Sequence, residues 1–512
     1  MTLAAKFIVT LVLLNCTLAS ALTDSTTPFR FHVPNEPSSL APAQLGSADV
    51  SLLFHNLYRG LYTFSSEKGL MREGAESCRW SDKNLVLICK IAKTSLWSDG
   101  KAIEASDYVR GWRELFSGKA KPASSEVLLN VKNARAILKG EKKFDQLGAT
   151  AVDTRTLRIE FEKPDPEFLN KLALVTLVPI RSENFPERER SQELITNGPY
   201  KISKWKVGSR LYLEPNKLFH PESAAARPLV EILFIEEDLT ALNLYESGEL
   251  TFMRRLPTQH FGKYASRSDF RNFAVARFDY LGFGDDLASR PHLRKALALS
   301  ANFAELQKIY KSPGMPGCPA LSEKLFANFP CLKFDLATAK KELEISKKTE
   351  NIPPRLQIAF SKLGGDSVLQ GMEWFQSQWT KNLGLQIDLT PMEQGVYLSV
   401  LRSKPPTIFR KGVGLDRPTC LAAVETFTKD GAENFLKFSD PKYESLVKQL
   451  AAAKTDSQKR KQCSLAVEYL LSQFRLIPLG RFMVSSLVSP KFTGWTVNEL
   501  QQLDLTNLKR SP

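Results

Sequence analysis

The sequence predicts a large globular protein that contains both strands and helices and divides into about two or three domains. Its 512 residues are 43% hydrophobic and 24% charged, a composition typical of folded proteins with sizeable cores. Residues 157–162 alternate between apolar and polar side chains, as in a half-buried strand, and residues 229–235 form the short apolar run of a buried strand. A helix is predicted after Ser106, whose hydroxyl can cap its first turn.

The N-terminus has the layout of a secretory signal peptide. Lys6 precedes the apolar run 7–14, and the small residues 19–21 precede a cleavage site that we predict after Ala21. A lipid anchor at Cys16 is the alternative, because the residues before it partly resemble the box that precedes a lipidated cysteine. No later stretch approaches the ~18 consecutive apolar residues that a membrane span requires. We therefore expect an exported chain.

The chain is basic, with 70 lysines and arginines against 55 acidic residues and a formal net charge of +15. These cations are scattered rather than concentrated along one helix or loop, so nucleic acid is not an expected partner. We interpret the charge as favouring solubility and as attracting anionic membrane surfaces or acidic ligands.

Six cysteines remain after the predicted cleavage: Cys78, Cys89, Cys318, Cys331, Cys420 and Cys463. An even number in an exported chain permits disulfides. Cys78 and Cys89 flank a plausible turn at 81–84, and Cys318 and Cys331 bracket a proline-rich loop, so we expect each of these pairs to be joined. Cys420 and Cys463 are then either paired or both reduced. No pair has the spacing of zinc ligands, so we expect neither a metal nor a cofactor.

Sequence signatures of catalysis are absent. The chain contains no Gly-x-Ser-x-Gly elbow, no His-Glu-x-x-His pair and no phosphate-binding loop ending in Gly-Lys-Ser/Thr. Its five histidines stand apart in sequence, and none can be assigned to a site. The sequence therefore does not favour an enzyme.

Short motifs along nearly the whole chain carry a resemblance to a known family. In the same order, they resemble motifs of the extracytoplasmic oligopeptide-binding proteins of ABC importers, solute-binding protein family 5. Examples are the Glu-Pro-x-Ser-Leu-x-Pro opening and the Trp-Ser-Asp-Gly turn. The motifs lie at residues 36–42, 56–61, 97–100, 107–109, 197–205, 241–250, 293–300, 379–385 and 477–479.

This resemblance implies a two-lobed α/β fold like that of periplasmic binding proteins, with a hinge and an extra domain inserted in the first lobe. It also implies a periplasmic monomer that is not an enzyme, closes over short peptides between its lobes and delivers them to an ABC permease in the inner membrane. Hinge crossings are expected near residues 250 and 479. The implied divisions are 22–47, 156–250 and 479–512 for the first lobe, 48–155 for the insertion and 251–478 for the second lobe.

The segment 407–416 is the candidate ligand site. In an extended chain Arg410, Gly412, Gly414 and Asp416 share one face, with the two charges roughly 20 Å apart. A peptide lying antiparallel along this segment would place its ammonium near Asp416 and its carboxylate towards Arg410. Hydrogen bonds to the backbone from Gly412 to Gly414 would hold it without selecting its side chains.

The family resemblance points to the same segment. The family carries an arginine, a glycine-aromatic pair and an aspartate that binds the amino end of the ligand, and Arg410, Gly412 and Asp416 match that pattern. Val413 stands where the family usually has a large aromatic residue, which leaves the ligand length open. We therefore predict Asp416, Arg410, Gly412, Val413 and Gly414 as ligand-binding residues.

Two other classes of function remain open. A relative with this fold could bind a non-peptide ligand such as a metal chelate, haem or a sugar, and Val413 is the best support for that alternative. The fold could also serve a secreted enzyme or a chaperone that holds peptides.

Overall fold

The computed structural model describes residues 27–44, 48–117, 122–182, 191–310, 317–318, 331–431 and 433–512. The predicted signal peptide and Cys16 lie outside these ranges. Within them, no helix combines the length and the apolar character that crossing a membrane requires.

The chain divides into two compact units. Unit 1 takes its described residues from Met1–Pro257, Arg267–Arg271 and Ser486–Pro512, and unit 2 takes them from Thr258–Ser266 and Asn272–Ser485. The lobes and the inserted domain expected from the resemblance stay predictions.

Unit 1 contains a mixed sheet whose strands follow the order β11-β1-β10-β9-β8, with the last residues of β16 (Leu476–Val488) paired to β11, and a four-stranded sheet of order β4-β5-β7-β6. Short antiparallel pairs join β2 to β3, β17 to β20 and β18 to β19. The strands are β1 (Phe29–Val33), β2 (Tyr62–Ser65), β3 (Gly69–Arg72), β4 (Ala75–Ser81), β5 (Val86–Ile91), β6 (Ala149–Ala151), β7 (Thr156–Glu160), β8 (Tyr200–Lys206), β9 (Arg210–Pro215), β10 (Val230–Phe234), β11 (Phe252–Met253), β17 (Phe492–Thr493), β18 (Thr496–Val497), β19 (Leu503–Asp504) and β20 (Lys509–Arg510).

The described part of unit 1 has six α-helices, of which those at 105–114, 134–138 and 168–171 contribute residues to a core that includes Trp97, Tyr108 and Trp112. The six helices are α1 (Ala48–Leu57), α2 (Ala105–Glu114), α3 (Ala134–Leu138), α4 (Phe168–Lys171), α5 (Pro221–Ala224) and α6 (Asp238–Glu246).

Unit 2 contains a sheet of order β14-β13-β15-β12-β16, in which β13 runs parallel to β14 and β15 while β12 runs antiparallel to β15. These strands are β12 (Phe270–Phe283), β13 (Leu356–Ser361), β14 (Ile387–Met392), β15 (Ile408–Gly414) and β16 (Leu476–Val488). The helices are α7 (Phe261–Tyr264), α8 (Asp285–Ala288), α9 (Pro291–Leu299), α10 (Phe303–Tyr310), α11 (Leu336–Thr349), α12 (Gly365–Leu383), α13 (Gln394–Ser403), α14 (Cys420–Glu425), α15 (Pro441–Ala452) and α16 (Asp456–Ser472).

Two apolar cores form in unit 2 because alternate residues of a strand point to opposite faces of the sheet. Phe409 and Val413 of β15 belong to one core, and Ile408 belongs to the other. Both cores continue onto β12, through Phe278 in the first and Leu281 in the second. Helices therefore contribute to an apolar core on each face of β12 and β15.

The local strand predictions are confirmed: β7 covers most of 157–162, and β10 lies within 229–235. The helix predicted after Ser106 is α2, but the prediction of its cap was wrong. The N-cap is Glu104, which forms a reciprocal capping box with Asp107. The Glu104 amide donates to Asp107 Oδ2 at 3.1 Å, and the Ser106 hydroxyl donates to Glu104 Oε2 at 3.2 Å instead of capping the helix.

The two predicted disulfides are confirmed, and the pair left open is also joined. The structure contains Cys78–Cys89, Cys318–Cys331 and Cys420–Cys463. The first links neighbouring strands β4 and β5, and the third links α14 to α16 in unit 2.

The C-terminal segment of unit 1 is fixed to residues from the beginning of the described chain. The Asn56 side chain donates to the Leu503 carbonyl at 2.8 Å and accepts from the Leu505 amide at 3.1 Å. The Asn498 side chain donates to the Phe64 carbonyl at 3.0 Å. These buried amides satisfy backbone groups of both segments, so the two ends of the described chain complete one unit.

Candidate functional site

The backbone of β15 offers hydrogen-bonding groups at one edge. Opposite residues of an antiparallel ladder alternate between pairs that exchange hydrogen bonds and pairs that do not. Leu415 donates to the Ala276 carbonyl at 2.8 Å, so the odd-numbered residues of β15 bond to β12. The N–H and C=O groups of Gly412 and Gly414 therefore point to the opposite edge.

That opposite edge is covered only at its start by a strand of the described chain. β13 pairs with Ile408 and Phe409, and the Tyr397 hydroxyl then donates to the Arg410 carbonyl at 2.6 Å. Beyond this point, within the described ranges, no strand pairs with the edge at Gly412 and Gly414. This stretch of backbone has the geometry to accept an added extended segment.

The predicted site residues occupy different environments. The Arg410 side chain is 15% exposed and donates to Asp279 at 3.2 Å, and Gly414 is exposed. Val413 is 5% exposed and lies in the apolar core on the opposite face of β15 from Gly412. The structure thus brings Arg410, Gly412 and Gly414 to one face of the strand, and their binding roles stay predictions.

Asp416 follows the strand, and its side chain is 49% exposed. Its Oδ2 accepts from the Arg417 guanidinium at 2.7 Å, and the same guanidinium also bonds to Glu425 of α14. Arg417 is only 4% exposed, and it links Asp416 to Glu425, the last residue of the helix that Thr419 caps. This pairing fixes the position of the Asp416 carboxylate in unit 2.

Sequence reasoning missed two residues of β12. Asp279 lies opposite Gly412 in the ladder, and Arg277 lies opposite Gly414. A Cβ at position 412 would stand 2.0 Å from Asp279 Oδ1 and 2.1 Å from Arg277 Nη2, so these side chains fill the space that the glycine leaves. The alternation Arg277-Phe278-Asp279-Tyr280 was the available signal, because it places two charges on one face of a strand.

Two histidines of unit 1 are buried. His55 Nε2 lies 2.7 Å from Arg59 Nη1, and because an arginine can only donate, this nitrogen is the acceptor of a neutral ring. Burial and the Arg59 charge lower the pKa of His55. Burial, followed by the charge of Arg254, lowers the pKa of His32 from 6.5 to about 4.

His32 should make folding sensitive to acid. The unfolded chain binds a proton at this residue near pH 6.5 and the folded chain only near pH 4, so stability is lost as pH falls through that interval. We expect His32→Asn to remove up to about 3 kcal/mol of this loss, measured by urea unfolding at pH 7.0 and 4.5. Equal pH dependence in the variant and the wild type would contradict the assignment.

The described ranges contain no cluster of three or more histidine, cysteine, aspartate or glutamate side chains that could hold a metal ion.

Comparisons with known proteins agree with the fold. Residues 71–435 match the model for bacterial extracellular solute-binding proteins, family 5 Middle. The chain is 24% identical over 487 residues to the periplasmic murein peptide-binding protein MppA of Escherichia coli, covering 91% of this chain and 90% of that protein. It is 23% identical over 493 residues to the probable deoxycholate-binding periplasmic protein YgiS of the same species, covering 92% and 91%.

Among solved structures, the unliganded open form of the murein tripeptide-binding protein MppA superposes with a TM-score of 0.82 at 21% identity, covering 95% of this chain and 97% of that one. This likeness confirms the predicted α/β fold class, which is that of two-lobed periplasmic binding proteins. The family model covers more than half of the sequence and contains β15 and Asp416. The chain therefore belongs to family 5 of the bacterial extracellular solute-binding proteins.

Proposed function

We propose that this protein is the solute-binding component of an ABC importer and that it captures short peptides along the edge of β15. The observation that carries the proposal is the backbone at Gly412 and Gly414, whose hydrogen-bonding groups point away from β12 and are paired with no strand of the described chain. An extended peptide can pair with these groups as an added strand. Recognition through the backbone tolerates many side chains, which suits a carrier of mixed peptides.

Asp416 supplies the charge for the amino end of the peptide in this proposal. Its Oδ2 is bonded to Arg417, and Oδ1 is the acceptor that we assign to the peptide ammonium. Arg410 and Val413 complete the predicted set, Arg410 as a cation on the Gly412 face and Val413 as a buried support of the strand from the other face.

The membrane partner and the compartment follow from the same proposal. The curated relatives reported above are named as periplasmic proteins, and we infer that this chain works as a monomer in the periplasm, exported by the predicted signal peptide. An ABC permease in the inner membrane would receive the loaded protein. We further propose that it binds its solute without chemical change, as a carrier rather than an enzyme.

The test is Asp416→Asn, studied by isothermal titration with peptides of two to eight residues. We expect peptide binding to weaken by about 1.5–3 kcal/mol, because a charge-assisted hydrogen bond is replaced by a neutral one. Acetylating the peptide amino group should weaken binding to the wild type by a similar amount and to the variant very little. Equal losses in the two proteins would contradict the role of Asp416.

A second candidate ligand is a steroid acid of the deoxycholate class. It is favoured by the relative YgiS, which is named as a probable deoxycholate-binding protein and which this chain matches almost as well as MppA. Titration with deoxycholate distinguishes the two candidates. Heat with deoxycholate and none with any peptide would replace the peptide proposal.

A further inference from the structure

Two arginines share one carboxylate beside the exposed edge of β15. Arg277 Nε donates to Asp279 Oδ1 at 2.7 Å, and Arg410 Nη2 donates to Asp279 Oδ2 at 3.2 Å. The Asp279 side chain is 7% exposed, so this carboxylate is held inside unit 2 with a guanidinium on each oxygen. A buried carboxylate bonded in this way fixes the orientation of both cations.

The glycines of β15 determine where the Arg277 guanidinium can lie. Its Nη2 lies 2.1 Å from where a Cβ of residue 412 would stand, so the group extends across the strand over Gly412. Arg277 itself is opposite Gly414, where no heavy atom of the described chain comes within 4 Å of the corresponding Cβ position. The guanidinium therefore borders an open space directly beside the backbone that we propose as the peptide site.

A guanidinium in this position can bind a carboxylate group of a ligand. It is planar, carries five N–H donors and can bond a carboxylate through its outer nitrogens while Nε stays on Asp279. The Arg277 side chain is 29% exposed, which shields it in part from water while leaving it within reach of a ligand. The internal peptide groups of an added strand carry no charge, whereas an acidic side chain of that peptide brings a carboxylate to this cation.

Accepting the proposed function as its basis, we propose that Arg277 is a specificity-determining residue. It selects peptides that carry a carboxylate side chain next to the segment bound along Gly412 and Gly414. Asp279 keeps the guanidinium over Gly412, where it meets that side chain. The preferred solutes are then acidic peptides rather than peptides of any sequence.

Isothermal titration with matched peptides tests this inference. Tripeptides of alanine with one glutamate, placed at each position in turn, are compared with the same peptides carrying glutamine. For the wild type we expect the glutamate peptide to bind about tenfold more tightly at one position, which is the usual strength of a charge-assisted hydrogen bond. In Arg277→Gln the ratio of glutamate-peptide to glutamine-peptide affinity should fall to about one. The affinity for the glutamine peptides should stay within about twofold of wild type, because glutamine peptides do not use the arginine charge.

Two further variants make the result specific. Arg277→Lys keeps the charge but not the planar fork, so we expect it to retain part of the preference. Arg271→Gln removes an exposed arginine of the same strand that donates to the Ser268 and Phe270 carbonyls, and it should leave the ratio unchanged. An equal ratio in Arg277→Gln and the wild type, or no glutamate preference in the wild type, overturns this inference alone. No binding of any peptide overturns the proposed function and this inference with it.

Discussion

Replacing Arg59 with methionine is expected to lower the free energy of unfolding of unit 1 by about 3–5 kcal/mol. Removing one partner of a buried ion pair leaves the other charge without compensation, and this cost exceeds the net gain that the pair supplied. The measurement is urea unfolding followed by hydrogen exchange, which reports on peptides of each unit separately.

The contacts of Arg59 explain the size of this effect. Its side chain is 3% exposed, Nη2 donates to Asp504 Oδ1 at 2.8 Å, and Nη1 donates to His55 at 2.7 Å. Burial alone would raise the pKa of Asp504, but the charge of Arg59 holds that pKa well below its usual range. The guanidinium thus keeps the Asp504 carboxylate ionised where β19 meets α1 within unit 1.

Arg255→Met is the matched control. Arg255 also pairs with an aspartate, Asp238, at 2.6 Å, but its side chain is 56% exposed. Exposed ion pairs of this kind contribute at most about 1 kcal/mol. Similar losses in Arg59→Met and Arg255→Met, or a loss confined to peptides of unit 2, would contradict the role assigned to Arg59.

Removing the Cys420–Cys463 disulfide is expected to destabilise unit 2 by about 4 kcal/mol. The two cysteines are separated by 43 residues, and a cross-link that closes a longer loop restricts the unfolded chain more. Both sulfurs lie in the apolar core that contains Val413. The double variant Cys420→Ala, Cys463→Ala removes the bond with little change in apolar character, and urea unfolding measures the result.

The Cys78–Cys89 disulfide closes a shorter loop and serves as the comparison for the effect of loop length on stability. Its separation is 11 residues, so the same double alanine substitution there should cost about 3 kcal/mol and act on unit 1. A larger loss from this short loop than from Cys420–Cys463 would refute the loop-length argument. Equal rates of hydrogen exchange in unit 2 with and without Cys420–Cys463 would contradict the stabilisation that we assign to this disulfide.

Local patterns were enough to locate many elements. Alternation predicted β7, and an apolar run predicted β10, because strand periodicity and burial are properties of short segments. The start of α2 was predicted, but its cap was not. Ser106 and Glu104 can both accept a hydrogen bond from the backbone, and only the reciprocal bond of Asp107 selects the glutamate.

For the candidate site, the sequence predicts which residues share a face of the strand but not which residues of the neighbouring strand contact them. Arg410, Gly412 and Gly414 share a face because of strand geometry alone, which sequence reasoning could supply. The contact of Asp279 with Arg410 joins residues 131 positions apart, and it depends on the register between β12 and β15. No periodicity within either strand fixes that register, so the charged pair over Gly412 could not be predicted from the sequence.

The anchoring of the C-terminal segment has a consequence for biosynthesis. Leu503 and Leu505 bond to Asn56, and Phe64 bonds to Asn498, so unit 1 needs residues that the ribosome adds after the whole of unit 2. Unit 2 is contained between these segments and can pair its strands earlier. A nascent chain therefore cannot complete its first unit until the second has been synthesised, so the early segments must wait for their last partners while later residues are added.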